Sequence, residues 1–508
     1  MSCSSSNTAP IRYAANILAL LVIGLIYYVL RLPTAAVPLS FYDDGETLYH
    51  TLTVLKGGLP YRDSISHHFL GYVLQFLVGA KIFGFSPSLV REVAFLSQIL
   101  TGFGVFLCMR LMLPWHAALL AGVLTVSARE PWVTGFFVQY QINLLYVYAL
   151  LCSLSYLRSG RTWKVAVAGL LCGLAFTFDQ RALALTLLLP TCVVLKPSQK
   201  PPQLLKALSA ASLGWLTPPL LAVLYLSING LWEQFIEQTW IFPTRYRVAS
   251  QSMLELLQHA LLVHKYLLTL TPILLVAGLL GWGALIKSLQ RHKGDQNLTA
   301  CRRLMLCLAL PLGAMPLFGS RDYDYYTITW LPYLAMLSAI SPDFFRSLGI
   351  RARRLVTMLL WTPVLFSLSS AWLHRNWAEK QEYQGDGIQE VAQFLKNNLT
   401  LADSVYVWGY RLDLYAYLEK LSAFPFVNQM LIHPDKVSSD ATVRAKHIYP
   451  KYEALFLNLL NESLPDYLVT INEDRQFESP SHQRVTELLR KRYQLVHQLQ
   501  RKDFRGNS

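Results

Sequence analysis

The sequence predicts an α-helical polytopic membrane protein of about eleven or twelve helices, with a C-terminal extracytoplasmic α/β domain. Three observations carry that expectation. Of the 508 residues, 53% are hydrophobic and only 15% charged, with a mean hydropathy of +0.32, where a soluble globular domain carries about 25% charged residues. Long apolar runs recur through residue 373, and scattered charge returns only beyond residue 374. This composition excludes a soluble enzyme, a disordered chain and a fibrous protein. The 27 Tyr and 12 Trp suit a chain with many membrane interfaces. The net charge of +14 is no argument for nucleic acid, because the basic residues concentrate in short loops between apolar runs.

The segments 14–30, 132–157, 207–228, 266–286 and 355–373 contain no charge and are long enough to cross a bilayer. Shorter candidates are 69–80, 93–109, 117–128, 165–178, 182–195, 304–319 and 325–340. The first run continues to Leu30 without a small-residue cleavage site and reads as a retained span. Lys and Arg in short loops set orientation. Four loops are basic: 158–164, 196–206, 287–303 and 346–354. With all four in the cytoplasm, 229–259, 320–324 and 374–508 lie outside and the N-terminus lies inside, as expected of a multi-pass plasma (inner) membrane protein. An outer loop at 36–66 then requires an odd number of crossings before Arg158. Four candidates lie between, so one of them is re-entrant or interfacial; 69–80 and 117–128 are both short enough. None of the seven Cys falls in a segment placed outside, so they read as small buried apolar residues.

The chain thus divides at 1–373, a spanning body, and 374–508, a soluble α/β domain. In the latter, 387–399, 412–421 and 481–493 read as helices and 404–408, 424–427 and 467–471 as strands.

The chemistry concentrates in the first outer loop. It reads Ser40-Phe41-Tyr42-Asp43-Asp44-Gly45-Glu46-Thr47-Leu48-Tyr49-His50, then Gly57-Gly58-Leu59-Pro60-Tyr61-Arg62-Asp63, then Ser66-His67-His68-Phe69. A solvated connector also carries acids. The added aromatics, paired glycines and paired histidines are unusual for one. Carboxylates at a membrane face can serve as general base or as metal ligands.

These motifs, with Lys81-Ile82-Phe83-Gly84 and Arg91 following, resemble the N-terminal signature of the GT-C membrane glycosyltransferases. The likeness is nearest the protein-mannosyltransferase-like and aminoarabinose-transferase-like branch. Arg321-Asp322-Tyr323-Asp324-Tyr325-Tyr326, leading to Pro332, resembles the family's late loop, and Val407-Trp408-Gly409-Tyr410 with Tyr415 resembles the opening of its C-terminal domain. The resemblance implies a GT-C-like fold and transfer of a sugar from a polyprenyl-phosphate donor to a glycolipid, glycan or protein acceptor at the outer face. It implies no nucleic-acid partner. Residue by residue, Asp43 matches the catalytic carboxylate, Asp44 takes the place of the second acid, and His67 or His68 matches a histidine preceding the second helix. Two positions depart from the pattern: Asp324 stands where relatives often have His, and Gln139-Tyr140-Gln141-Ile142-Asn143 offers amides where some place an acid. The cofactor question stays open between none and a divalent cation.

Transfer from a phosphate-linked donor needs a base, stabilisation of the leaving phosphate, and an apolar groove for the prenyl tail. Asp43 is the expected base, supported by Asp44 or Glu46, and a single displacement implies inversion. Arg321 is the expected phosphate contact and Arg245, with Arg247, a weaker one; His67, His68, Asp324 and Tyr61 complete the expected substrate contacts. Trp232, Phe235, Trp240 and Phe242 read as an interfacial helix, and Asp179 with Arg181 as a local ion pair. The competing readings are a lipid-linked glycan polymerase, ligase or flippase, and a non-enzymatic membrane transporter. A transporter would show internal repeats and mid-membrane acids, neither of which is found.

Overall fold

The computed structural model describes residues 8–35, 42–128, 138–243, 253–291, 295–318, 324–380, 387–409, 411–427, 450–470 and 480–499. The chain opens with α1 (Thr8–Ala35), α2 (Tyr42–Leu55), α3 (Leu70–Phe83), α4 (Leu89–Arg110) and α5 (Trp115–Ser127). There follow α6 (Val138–Ser159), α7 (Thr162–Phe178), α8 (Leu188–Leu195) and α9 (Pro201–Ile228). Six stretches among the described residues are long and apolar enough to cross a membrane: Tyr13–Arg31, Leu89–Arg110, Val138–Ser159, Pro201–Ile228, Pro272–Gln290 and Tyr325–Leu373. Four shorter apolar helices accompany them: Leu70–Phe83, Trp115–Ser127, Thr162–Phe178 and Gln180–Leu195. The protein is a multi-pass membrane protein. Lipid offers no partner to a bare peptide group, so each crossing must be helical.

Several spans are built differently from the uniform helices expected. The run 304–319 is divided among Gln296–Cys307, Ala309–Ala314 and a 3-10 turn Met315–Phe318. Pro311 lies early in the second piece and Pro316 in the third, each just past a break, and proline cannot donate to the preceding turn. The run 182–195 starts as a 3-10 helix, Gln180–Leu187, before α8. The run 325–340 likewise starts as a 3-10 helix, Asp324–Trp330, before Leu331–Ile340. Helices Gly349–Leu359 and Thr362–Lys380 share the stretch 355–373.

The tightest helix pair is α7 on α9. Gly169 and Gly173, four apart on α7, face the backbone of Ala211 and Trp215, and Gly214 faces Ala166. No Cβ fits at any of the three. Small residues at this spacing let two backbones meet, which in lipid is a principal source of helix association.

Beyond residue 387, strand β1 (Val405–Trp408) pairs in parallel with β2 (Tyr467–Thr470), Val405 opposite Tyr467 and Trp408 opposite Thr470. Helices Ile388–Asn398, Asp413–Leu418, Pro450–Glu462 and Pro480–Arg492 surround the pair. The segment 424–427, expected as a strand, is not one. Pro425 has no N–H for a ladder, and the segment instead buries Phe424, Phe426 and Val427 as a bend. Phe424 and Phe426 join Tyr406, Trp408 and Phe456 in an aromatic cluster that also takes Ile65 of the first loop.

The described cysteines Cys108, Cys152, Cys172, Cys192, Cys301 and Cys307 are free thiols, buried or half-buried.

Candidate active site

The first outer loop, expected over 36–66 to carry the site, contains a helix. The acids Asp43 and Asp44 fall in the first turn of α2 and Glu46 at the start of the second, near the end where the helix dipole favours negative charge. From Asp44 to Thr53 every side chain of α2 is buried, including Asp44, Glu46, Thr47, His50, Thr51 and Thr53. Buried polar groups persist only where they find partners, and these do. Thr51 and Thr53 donate to the carbonyls of Thr47 and Tyr49 at 3.0 and 2.9 Å. Thr47 Oγ1 donates to the Tyr72 hydroxyl at 2.8 Å. One helical turn apart, His50 Nε2 and Glu46 Oε1 are 3.3 Å from each other, while His50 Nδ1 meets Ser64 Oγ at 2.9 Å.

After α2 the chain folds back on itself. Gly57 and Tyr61 both take left-handed backbone conformations, at φ 85° and 67°. The Tyr61 hydroxyl donates to the His68 carbonyl at 2.9 Å, and its ring lies against Phe235. Gln238, 172 residues further along than Ser66, locks this turn: its carbonyl accepts from Ser66 N at 3.0 Å and its amide donates to Tyr61 O at 2.8 Å. Tyr61, expected as a substrate contact, braces the loop in this structure and is 1% exposed. The aromatic stretch expected as an interfacial helix supplies the other brace: Trp232–Ile236 runs into a π-helical turn, Glu237–Ile241, that carries Gln238.

The fold-back delivers His67 and His68 to Glu46. One ligand atom from each of the three lies within 4.8 Å of the others, the one such His/Cys/Asp/Glu group among the described residues. The two imidazoles are 4.0 Å apart by ring centroid, and His68 stacks on Tyr72 at 3.9 Å. Burial pushes the His67 imidazole below its usual value and His68 well below it. At Glu46 burial opposes the charge, but the His50 hydrogen bond and the nearby imidazoles outweigh it, holding its carboxyl below the usual carboxylate range. Two neutral imidazoles and one carboxylate are the donor set of a catalytic-type zinc site, with a fourth position left for water or substrate. His50 on Glu46 and Tyr72 against His68 orient the ligands, as outer partners of metal sites do.

The C-terminal segment closes over α2. Tyr49 OH accepts from Ser422 N at 3.1 Å, and its ring lies 5.0 Å from Tyr415. Gly45 approaches the backbone of Leu412 and Asp413 so closely that a Cβ there would collide. Ile65 N donates to Pro425 O at 3.2 Å. Glu237 accepts from Lys451 Nζ at 2.5 Å and from Tyr452 OH at 2.8 Å.

A second polar cluster stands beside the histidines. Arg181 makes the expected ion pair with Asp179, and its guanidinium lies 3.8 Å from the Tyr326 ring centroid. Gln139, Ile142, Met315 and Thr329 line the cleft with it. The amides noted at 139–143 tie down the late segment: Asn143 donates to Ile328 O at 3.0 Å, and Tyr146 of the same helix to Thr329 O at 3.3 Å.

The remaining sequence candidates divide as follows. The backbone of Asp43 lies in α2, and Asp324 begins the 3-10 helix Asp324–Trp330; the side chains of both lie outside the described residues. Arg245, Arg247 and Arg321 lie outside them altogether. Reading the sequence missed His50, although its spacing of four from Glu46 was a usable helical signal. It also missed Gln238, for which no local signal exists.

The fold is similar to those of several solved membrane proteins. The solved structures it is similar to include the oligosaccharyltransferase of Archaeoglobus fulgidus in complex with zinc and sulfate, at a TM-score of 0.51 and 12% identity over 85% of this chain and 67% of that one. A structure of AglB from the same organism, with an inhibitory peptide and a dolichol-phosphate, aligns at 0.50 and 10% identity, covering 85% of this chain and 68% of that one. ArnT from Cupriavidus metallidurans bound to undecaprenyl phosphate aligns at 0.50 and 14% identity, covering 87% of this chain and 94% of that one. At these identities the shared property is the fold. No protein-family model matches the chain, and no curated protein matches its sequence.

Proposed function

We propose that the protein is a membrane glycosyltransferase that moves a sugar from a polyprenyl-phosphate-linked donor to an acceptor on the outer face of the plasma membrane, with inversion. The observation that carries this reading is the buried acidic first turn of α2 with the Glu46–His67–His68 group beside it, set in a fold shared with ArnT over most of both chains. In this reading residues 1–373 hold the donor, and 374–508 form an outer domain packed on α2. Asp43 takes the proton of the acceptor hydroxyl as its oxygen attacks the anomeric carbon. The bond from that carbon to the phosphate oxygen breaks on the opposite side, and the phosphate leaves on its prenyl chain. Asp44 supports Asp43 at the start of α2, and Arg321 neutralises the leaving phosphate. Glu46, His67 and His68 would hold a divalent cation, whose positive charge would stabilise phosphate oxygens when bound.

The test is transfer by the full chain in lipid, offered a panel of polyprenyl-phosphate sugars and envelope acceptors. Wild type is expected to consume one donor, and Asp43→Asn to lose about 10²- to 10⁴-fold of that rate. A folded protein inert toward every polyprenyl-phosphate sugar rejects the reading. An Asp43→Asn variant at wild-type rate removes Asp43 from the role of base.

A further inference from the structure

At the far end of α7 from the histidines the molecule carries a second, chemically opposite cavity. The C-terminal end of α7 touches the start of α3, just past the histidines, with Phe176 against Phe69 and Thr177 against Gly71. Its N-terminal residue, Thr162, lies 16 residues before Phe178, a displacement of about 24 Å at the helical rise, close to the thickness of a bilayer core. There the turns α6–α7 and α8–α9 flank a half-open cavity of about 420 Å³, within the size range of ligand sites. Tyr156, Thr162, Lys196, Gln199, Gln203 and Lys206 line it.

The cavity is built for an anion. Lys196 is pinned in place: its ammonium donates to Leu157 O at 2.6 Å and to Asn297 Oδ1 at 3.2 Å. The Tyr156 hydroxyl is held by Gln199 Nε2 at 2.7 Å. Arg158, Arg161, Lys164, Lys200 and Lys206 add charge around it, and between residues 155 and 206 the single acid is Asp179, paired with Arg181 at the other end of α7. The adjoining helix Gln296–Cys307 adds Arg302 and Arg303 against Asp295 at its N-cap. Both α7 and α9 begin here, at Thr162 and Pro201, so their positive dipole ends add to the field. Two turn residues of the lining, Gly160 and Ser198, hold left-handed backbones at φ 70° and 57°. A bias of cations toward one membrane face accounts for basic loops, but not for a cavity of this size between them.

The surroundings of the cavity are apolar. Leu205 and Leu213 of α9 are each 67% exposed, Val194 is 69% exposed and Trp163 59%. These side chains match acyl chains and a headgroup-level aromatic. We propose that this cavity binds the phosphate headgroup of an anionic phospholipid, in the leaflet opposite the Glu46–His67–His68 group, with its acyl chains along α9. Basic pockets between membrane helices bind phosphate headgroups in this way. The site does not depend on the glycosyl-transfer reading.

The test uses the purified full chain in detergent, titrated with phosphatidylglycerol, phosphatidylcholine or inorganic phosphate, and reads lipid retention by native mass spectrometry together with thermal midpoint. Wild type is expected to retain phosphatidylglycerol over phosphatidylcholine. Lys206→Gln, at an exposed position, should weaken retention about fivefold, and Gln203→Glu, which places a negative charge in the cavity, should abolish the preference. Lys196→Gln should weaken it further, read only if its lipid-free midpoint matches wild type. Equal retention of the two lipids by wild type overturns the proposal, as does unchanged preference in folded Gln203→Glu. Inorganic phosphate displacing phosphatidylglycerol at equal concentration would assign the site to a soluble phosphate and overturn the lipid assignment.

Discussion

The two ends of α6 and α7 carry opposite chemistry by opposite means. At the histidine end, charge is buried and matched pairwise: Glu46 with His50, Arg181 with Asp179, and the turn at Tyr61 with Gln238. At the basic end, cations crowd a cavity with few acids among them, and Lys196, Arg158 and Lys164 are held by backbone carbonyls rather than by carboxylates. Burying a charge is costly unless a partner is supplied, so the first arrangement demands fixed geometry from distant parts of the chain. The second demands only that lysines reach water, and it suits a ligand that brings its own negative charge.

The largest expected effect lies at the buried end. Glu46→Gln keeps the shape but removes the carboxylate charge and weakens the His50 contact, and should lower divalent-cation retention by at least about tenfold. Metal analysis of purified wild type and variant checks this; equal metal content would separate Glu46 from cation binding. Gly173→Leu should disrupt α7–α9 packing, because the new side chain meets the Trp215 backbone, at a cost of about 1–3 kcal/mol or more. The drop in thermal midpoint measures it, and an unchanged midpoint would show that the seam is loose.

Acid should loosen the histidine end before the basic one. The folded values of His67 and His68 lie below the ordinary 6.5. Below that pH the unfolded chain binds protons that the folded one does not, so the stability they contribute is lost as pH falls through about 6.5 and downward. Glu46, also held low in the fold, adds a loss in the same direction below the ordinary carboxylate range. Hydrogen exchange should show α2 and residues 64–69 opening on acidification while α9 stays protected; equal loss at both ends would break the contrast. The smallest effect is expected at Tyr49→Phe, which removes the acceptor of Ser422 N and should cost about 1 kcal/mol in the docking of 413–427 on α2, measured by protease sensitivity of that segment.

The spans were legible because hydropathy reports what lipid requires of a backbone. The Asp179–Arg181 pair was legible because the two residues are neighbours in sequence. Strand positions 405–408 and 467–470 showed as short apolar runs of β-branched and aromatic residues, whereas 424–427 misled because burial by aromatics looks the same in a bend as in a strand. The proline breaks at 311 and 316 were printed in the sequence but hidden by the apolar average. Asp44 and Glu46 stood out as acids beside a span; that they sit on a buried helix did not, since a polar helix enclosed on all sides has no amphipathic signature.

The order of apolar and charged segments by itself determined that this chain lives in a bilayer and which segment carries acids and histidines. Only the tertiary structure decided that His67 and His68 return to Glu46, that Gln238 clamps the turn between them, and that the residues after β1 close over α2. Partition into lipid sums over a local window of side chains, so it can be read along the line. Convergence of three ligands depends on loop closure and packing between residues far apart in sequence, and no local window contains it.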